Sequence, residues 1–166
     1  MTNDAQTPSD AGTGNPGPVD QATLWNGPAG QAWVDAQDTL DRMFAGFETR
    51  LVAKIPENSR AHVLDVGCGT GATTLAIARR LGGGTAIGVD LSEPMLARAR
   101  ERAAAAALPA TFLHADAGSH RFASAGFDRI VSRFGVMFFA DPVAAFANLR
   151  TAARAGAELD AFAWRA

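Results

Sequence analysis

The sequence predicts an α/β fold of three layers, with helices covering both faces of a mainly parallel sheet. From residue 61 onward, five short runs rich in Val, Ile, Leu and Phe alternate with helical stretches. The first run opens into a glycine-rich turn that leads into a helix. Capping residues also stand where the alternation puts helix starts.

The runs are Ala61–Val66, Thr85–Asp90, Ala110–His114, Phe127–Ser132 and Ala157–Trp164. Helical stretches fall near 71–81, 93–107 and 142–154. Ser92 caps the second of these helices, and Asp141-Pro142 supplies a cap and a first-turn proline for the third. Gly82-Gly83-Gly84 breaks the first.

Ahead of the alternation, Trp33, Ala36, Leu40, Met43, Phe44, Phe47 and Leu51 recur at steps of three and four, predicting one amphipathic helix over Ala29–Lys54. Pro56 ends it. Residues 1–20 are polar and rich in Pro and Gly, and read as a disordered tail. The expected organisation is therefore a tail over 1–20, a helical lid over 21–56 and an α/β domain over 57–166.

Bulk properties narrow the function classes. A net charge of −2 with no basic block argues against a nucleic-acid partner. No apolar run reaches the length of a membrane span, and no charged, apolar leader is read. The single cysteine, Cys68, allows no internal disulfide, so a reducing cytoplasm is the expected compartment. His62, His114 and His120 have no metal-ligand spacing, and no metal is expected.

The chemistry concentrates in Val63-Leu64-Asp65-Val66-Gly67-Cys68-Gly69-Thr70-Gly71. Glycines there let a ligand touch the backbone, and the helix start suits a carboxylate or phosphate. Asp90, ending the second strand, is placed to accept from ribose hydroxyls. The glycine spacing also fits a dinucleotide fingerprint. Asp65 discriminates: a carboxylate beside the loop repels a diphosphate but suits a ligand with an ammonium and a sulfonium, such as S-adenosylmethionine.

Here the chain resembles the class I S-adenosylmethionine-dependent methyltransferases, small-molecule type, similar to the quinone-biosynthesis C-methyltransferases. The resemblance runs from Trp25 to Arg165. It rests on Asp65–Gly71, Gly88–Ser92, His114–Ala117 and Phe127–Gly135, four blocks in order, each at an expected strand end.

It implies a Rossmann-like sandwich and methyl transfer to a small-molecule acceptor by in-line displacement. Gly67, Cys68 and Gly69 would lie against the methionine moiety, Asp65 would reach its amine, and Asp90 would hold the ribose. Leu91 and Met95 would pack on the adenine, with Asp116 and Ala117 at its amino group. Ser132 would lie near the reactive methyl. Trp25, Asn26, Trp33, Arg133 and Phe134 would form lid or acceptor-side contacts. No catalytic base is assigned.

Where the family has seven strands, this chain ends after the fifth, leaving an exposed edge suited to self-association. Arg154-Ala155-Gly156-Ala157 stands where the family has a proline and two glycines, and Asp160 lies mid-strand where an apolar residue is expected. Two other readings compete: a catalytically weak cofactor-binding module that needs a partner, and a nicotinamide-dependent oxidoreductase. Asp65 disfavours the second.

Overall fold

A computed structural model describes residues 20–165. The tail expected over 1–20 lies outside the described residues except for Asp20. That residue caps a helix instead, its carboxylate accepting from Thr23 N at 3.0 Å.

Three helices come first: α1 (Gln21–Asn26), α2 (Pro28–Asp35) and α3 (Gln37–Val52). The single amphipathic helix expected from Ala29 is thus divided. Gly27 separates α1 from α2, and Ala36 leaves helical geometry at φ −88°, ψ 5°. The break turns Gln37 inward, 6% exposed, where its side chain reaches Asp38, Asp41 and Arg98. That network joins residues 61 positions apart, so no local pattern announces it.

The α/β part follows as β1 (His62–Val66), α4 (Ala72–Arg80), β2 (Thr85–Asp90), α5 (Glu93–Ala105), β3 (Ala110–His114), β4 (Phe127–Arg133), α6 (Pro142–Ala152) and β5 (Ala153–Phe162). All pairings are parallel, in the order β3-β2-β1-β4-β5. Strand order reverses between β1 and its neighbours β2 and β4. In open parallel sheets the crevice beyond that point is where ligands bind.

Period-two alternation sorts the strand residues between two cores. Leu64, Val66 and Ile130 pack with Leu149 of α6 on one face. Val63 and Val131 pack with Leu51, Ile55 and Ile77 on the other, beneath α3 and α4. Burial on both faces is why these strands read as near-continuous apolar runs.

The fifth strand corrects two expectations. It begins at Ala153, directly after α6, and ends at Phe162. Phe127 pairs with Ala153 but Arg129 pairs with Glu158, so residues 154–157 bulge out of the ladder, with Gly156 at φ 81°. The turn chemistry read in Arg154–Ala157 is present, but inside the strand. Asp160 is paired: its carboxylate and that of Glu158 both accept from the guanidinium of Arg129 on β4. Among the described residues no helix is long and apolar enough to cross a membrane.

Candidate functional site

At the C-terminal end of β1 the chain turns through Gly67, Gly69 and Gly71, all at positive φ. Gly67 meets Gly135, just past β4, almost backbone to backbone. A Cβ on Gly67 would lie 2.5 Å from Gly135 Cα, and one on Gly135 would lie 2.4 Å from Val66 O. Sequence reading singled out the glycines of the first turn and missed Gly135, whose constraint comes from a segment 68 positions away. Gly69 faces more open space, with Met95 Sδ 3.7 Å from its would-be Cβ.

Asp65 is 1% exposed, and burial pushes its carboxyl up to about 7. Thr74, in the first turn of α4, donates to Oδ2 at 2.6 Å, while Oδ1 is buried with no partner. Thr74 was also missed. The polar pair Thr73-Thr74, buried at the start of a helix that runs on as Leu75–Ala78, is the signal that could have found it.

Asp90 ties two loops together, Oδ2 accepting from Gly69 N at 2.8 Å and Oδ1 from Ser92 N at 2.9 Å. Burial raises its pKa, and these backbone donors oppose the rise. Burial and the neighbouring Asp90 and Asp65 hold the Cys68 thiol well above its usual range. Cys68 therefore stays a protonated thiol packed against Leu75 and Leu96, not a reactive thiolate.

The N-terminal helices reach the same place. Asn26 donates from Nδ2 to Leu91 O at 2.8 Å and accepts on Oδ1 from Glu93 N at 3.0 Å. Ser92 Oγ donates to Trp25 O at 2.6 Å. Trp25 packs edge-on against Trp33 and Phe138. Met95 is 4% exposed and Leu91 half-buried beside them.

Two further segments flank the turn. Asp116 folds onto its own loop, Oδ1 accepting from Gly118 N and Oδ2 from Ser119 Oγ, both at 2.8 Å, while the next residue, Ala117, is buried. Ser132 Oγ donates to Val66 O at 2.8 Å and accepts from Gly135 N and Val136 N. That hydroxyl braces the crossing of Gly67 and Gly135. Arg133 lies over the ring of Phe44 at 5.6 Å, and Phe134, at φ 73°, packs between Phe44, Phe47 and Trp164.

A brace outside the expected set links α3 to the turn. Arg102 donates to Thr70 O at 2.7 Å and to Asp41 Oδ2 at 2.7 Å. Its side chain is 21% exposed. Arg102→Ala is expected to cost about 1–3 kcal/mol of stability, lowering the thermal midpoint by several degrees in calorimetry. Two surface depressions of about 300 and 330 Å³, beside Asp38 and Arg98 and beside Asn58 and Arg79, contain none of these turn residues.

Comparison with known proteins places the geometry. A family described as a methyltransferase domain matches residues 63–156, more than half of the chain. The demethylmenaquinone methyltransferase of Thermus thermophilus is 36% identical over 109 residues, covering 63% of this chain and 50% of that protein. A crystal structure of an S-adenosylmethionine-dependent methyltransferase from Mesorhizobium loti is 30% identical with TM-score 0.55, covering 66% of this chain and 49% of that one. A Methanococcus maripaludis protein described as such a methyltransferase shares the fold, with TM-score 0.68 at 21% identity over 79% of this chain and 60% of that one. The chain spans half or less of the length of the curated relatives it matches.

Proposed function

Because the chain belongs to the class I S-adenosylmethionine-dependent methyltransferases, we propose that it holds S-adenosylmethionine at the β1–α4 turn and methylates a small-molecule acceptor. One observation carries the ligand choice: the buried, unpartnered Oδ1 of Asp65 beside the glycine turn. A carboxylate there opposes a diphosphate and matches an ammonium, so the residues fit this cofactor better than a dinucleotide. When bound, the cofactor supplies an electrophilic methyl group on a positively charged sulfur.

The chain's own part is to bind, orient and exclude water. Asp65 takes the ammonium, while the backbone of Gly67, Cys68 and Gly69 forms the wall beside it. Each oxygen of Asp90 already accepts one N–H, and a second lone pair on each remains for a ribose hydroxyl. Leu91, Met95 and Ala117 give apolar surface for the adenine, with Asp116 at its amino group. The segment 21–56 acts as a lid, its Trp25 and Asn26 bonded to the β2–α5 loop and its Trp33 packed on Trp25.

Ser132 and Phe134 shape the acceptor side; the Ser132 hydroxyl, accepting from Gly135 N and Val136 N, has both lone pairs engaged and is not free to act as a base. Alignment of acceptor and methyl then supplies the rate, worth roughly 7–11 kcal/mol in favourable cases. The likeness to a demethylmenaquinone methyltransferase favours a quinone-like acceptor. A cytoplasmic location, no nucleic-acid partner and self-association through the β5 edge belong to the same reading.

Titration calorimetry tests the ligand without the acceptor. S-adenosylhomocysteine is expected to bind in the micromolar range and NAD not to bind. The opposite ranking would overturn the assignment.

A further inference from the structure

Among the described residues, three buried side-chain polar atoms lack a hydrogen-bond partner: Thr73 Oγ1, Asp65 Oδ1 and Arg133 Nη1. The last two are of opposite kind, an acceptor and a donor. The sheet register brings them together. Asp65 pairs with Val131, and Arg133 lies one two-residue step further along β4, roughly 7 Å beyond. Val63 and Val131 share the apolar cluster under α3 and α4, so the period-two rule puts Asp65 and Arg133 on that same face.

A guanidinium nitrogen buried without a partner makes Arg133 a poor candidate for a bystander. Its guanidinium lies against the face of Phe44 at 5.6 Å, a contact that uses its π face and leaves its N–H edge available. Glu48 on α3 is the other acid that senses its charge, and burial keeps the Glu48 carboxyl raised. A buried donor and a buried acceptor, on one face of neighbouring strands, complement a ligand group that carries both charges on one carbon.

Resting on the methyltransferase reading above, we propose that Arg133 binds the α-carboxylate of the cofactor's methionyl end while Asp65 takes its ammonium, so that the two strands jointly read an α-amino acid. This moves Arg133 from the acceptor side to the cofactor side. It also gives the carboxylate a charged partner besides the start of α4.

The test compares S-adenosylhomocysteine with 5′-methylthioadenosine, which keeps the adenosine and sulfur but lacks the amino-acid end. Calorimetry on the full chain is expected to show Arg133→Gln weakening S-adenosylhomocysteine about 10–100-fold. Methylthioadenosine affinity should stay within about twofold of wild type. Arg133→Lys should restore part of the loss, since it returns the charge without the bidentate fork.

Unchanged S-adenosylhomocysteine affinity in Arg133→Gln would overturn the proposal. An equal loss for both ligands would do the same, because it would mean that the guanidinium only props the site through Phe44. Wild-type protein that binds neither ligand would instead sink the methyltransferase reading itself.

Discussion

Asp65→Asn is expected to weaken S-adenosylhomocysteine binding by roughly 30-fold or more while stabilising the unliganded protein above neutral pH. The binding loss follows from removing the acid that takes the ligand's ammonium in a buried site, where such truncations cost about 2–5 kcal/mol. The stability gain follows from the raised pKa. Folded Asp65 titrates at about 7, against an ordinary value of 3.8. Between those values the folded state holds a proton that the unfolded state has released, so stability falls as pH rises from about 4 to about 7 and then levels.

That shift corresponds to at most about 4 kcal/mol. Asparagine removes this share of the fall, leaving the shares from Asp90 and Glu48, whose pKa values are also raised. Melting curves at pH 5 and pH 8 would show wild type losing more stability than the variant. Ligand affinity has the opposite slope: the ammonium needs the ionised acid, so wild-type binding tightens about tenfold from pH 6 to pH 8. Binding by Asp65→Asn should be flat over that range. Parallel pH profiles for the two proteins would defeat this account.

Gly135→Ala is expected to destabilise the fold by about 3 kcal/mol or more, lowering the thermal midpoint by roughly 6–12 °C. The added methyl would meet Val66 O at 2.4 Å and Gly67 Cα at 2.6 Å, both main-chain atoms that cannot step aside. Relief requires the ends of β1 and β4 to part, which also breaks the bond from Ser132 Oγ to Val66 O. Gly46→Ala is the control. It lies inside α3 with nothing within 4 Å of its would-be Cβ, and replacing a helical glycine there should stabilise by about 0.5–1 kcal/mol. A tolerated Gly135→Ala would show that the two segments lie further apart than described.

The contrast between these two glycines marks what was legible in the sequence. Strand positions and the first glycine turn follow from patterns within ten residues, and β2 and β3 begin and end where those patterns put them. The constraint on Gly135 comes from Val66 and Gly67, at the end of β1 and in the turn after it. The partner of Asp160 is Arg129, across the β4–β5 ladder, and reading along the chain left that carboxylate unexplained. Helix α1 is six residues long, too short for periodicity to declare, and its cap Asp20 sat within the stretch read as tail. Long-range pairings and short elements escaped because their causes lie outside the local window.

Asn26 grips Leu91 O and Glu93 N, main-chain atoms 65 and 67 positions further on. At ribosomal speeds of about 5–20 residues per second, those anchors follow Asn26 out of the synthesis machinery some 3–13 seconds later. Throughout that interval Trp25, Trp33 and Phe44 can pack on one another but lack their later partners Phe138 and Phe134. Helices α1–α3 of the nascent chain therefore keep aromatic surface exposed until the β2–α5 loop and the segment after β4 have emerged.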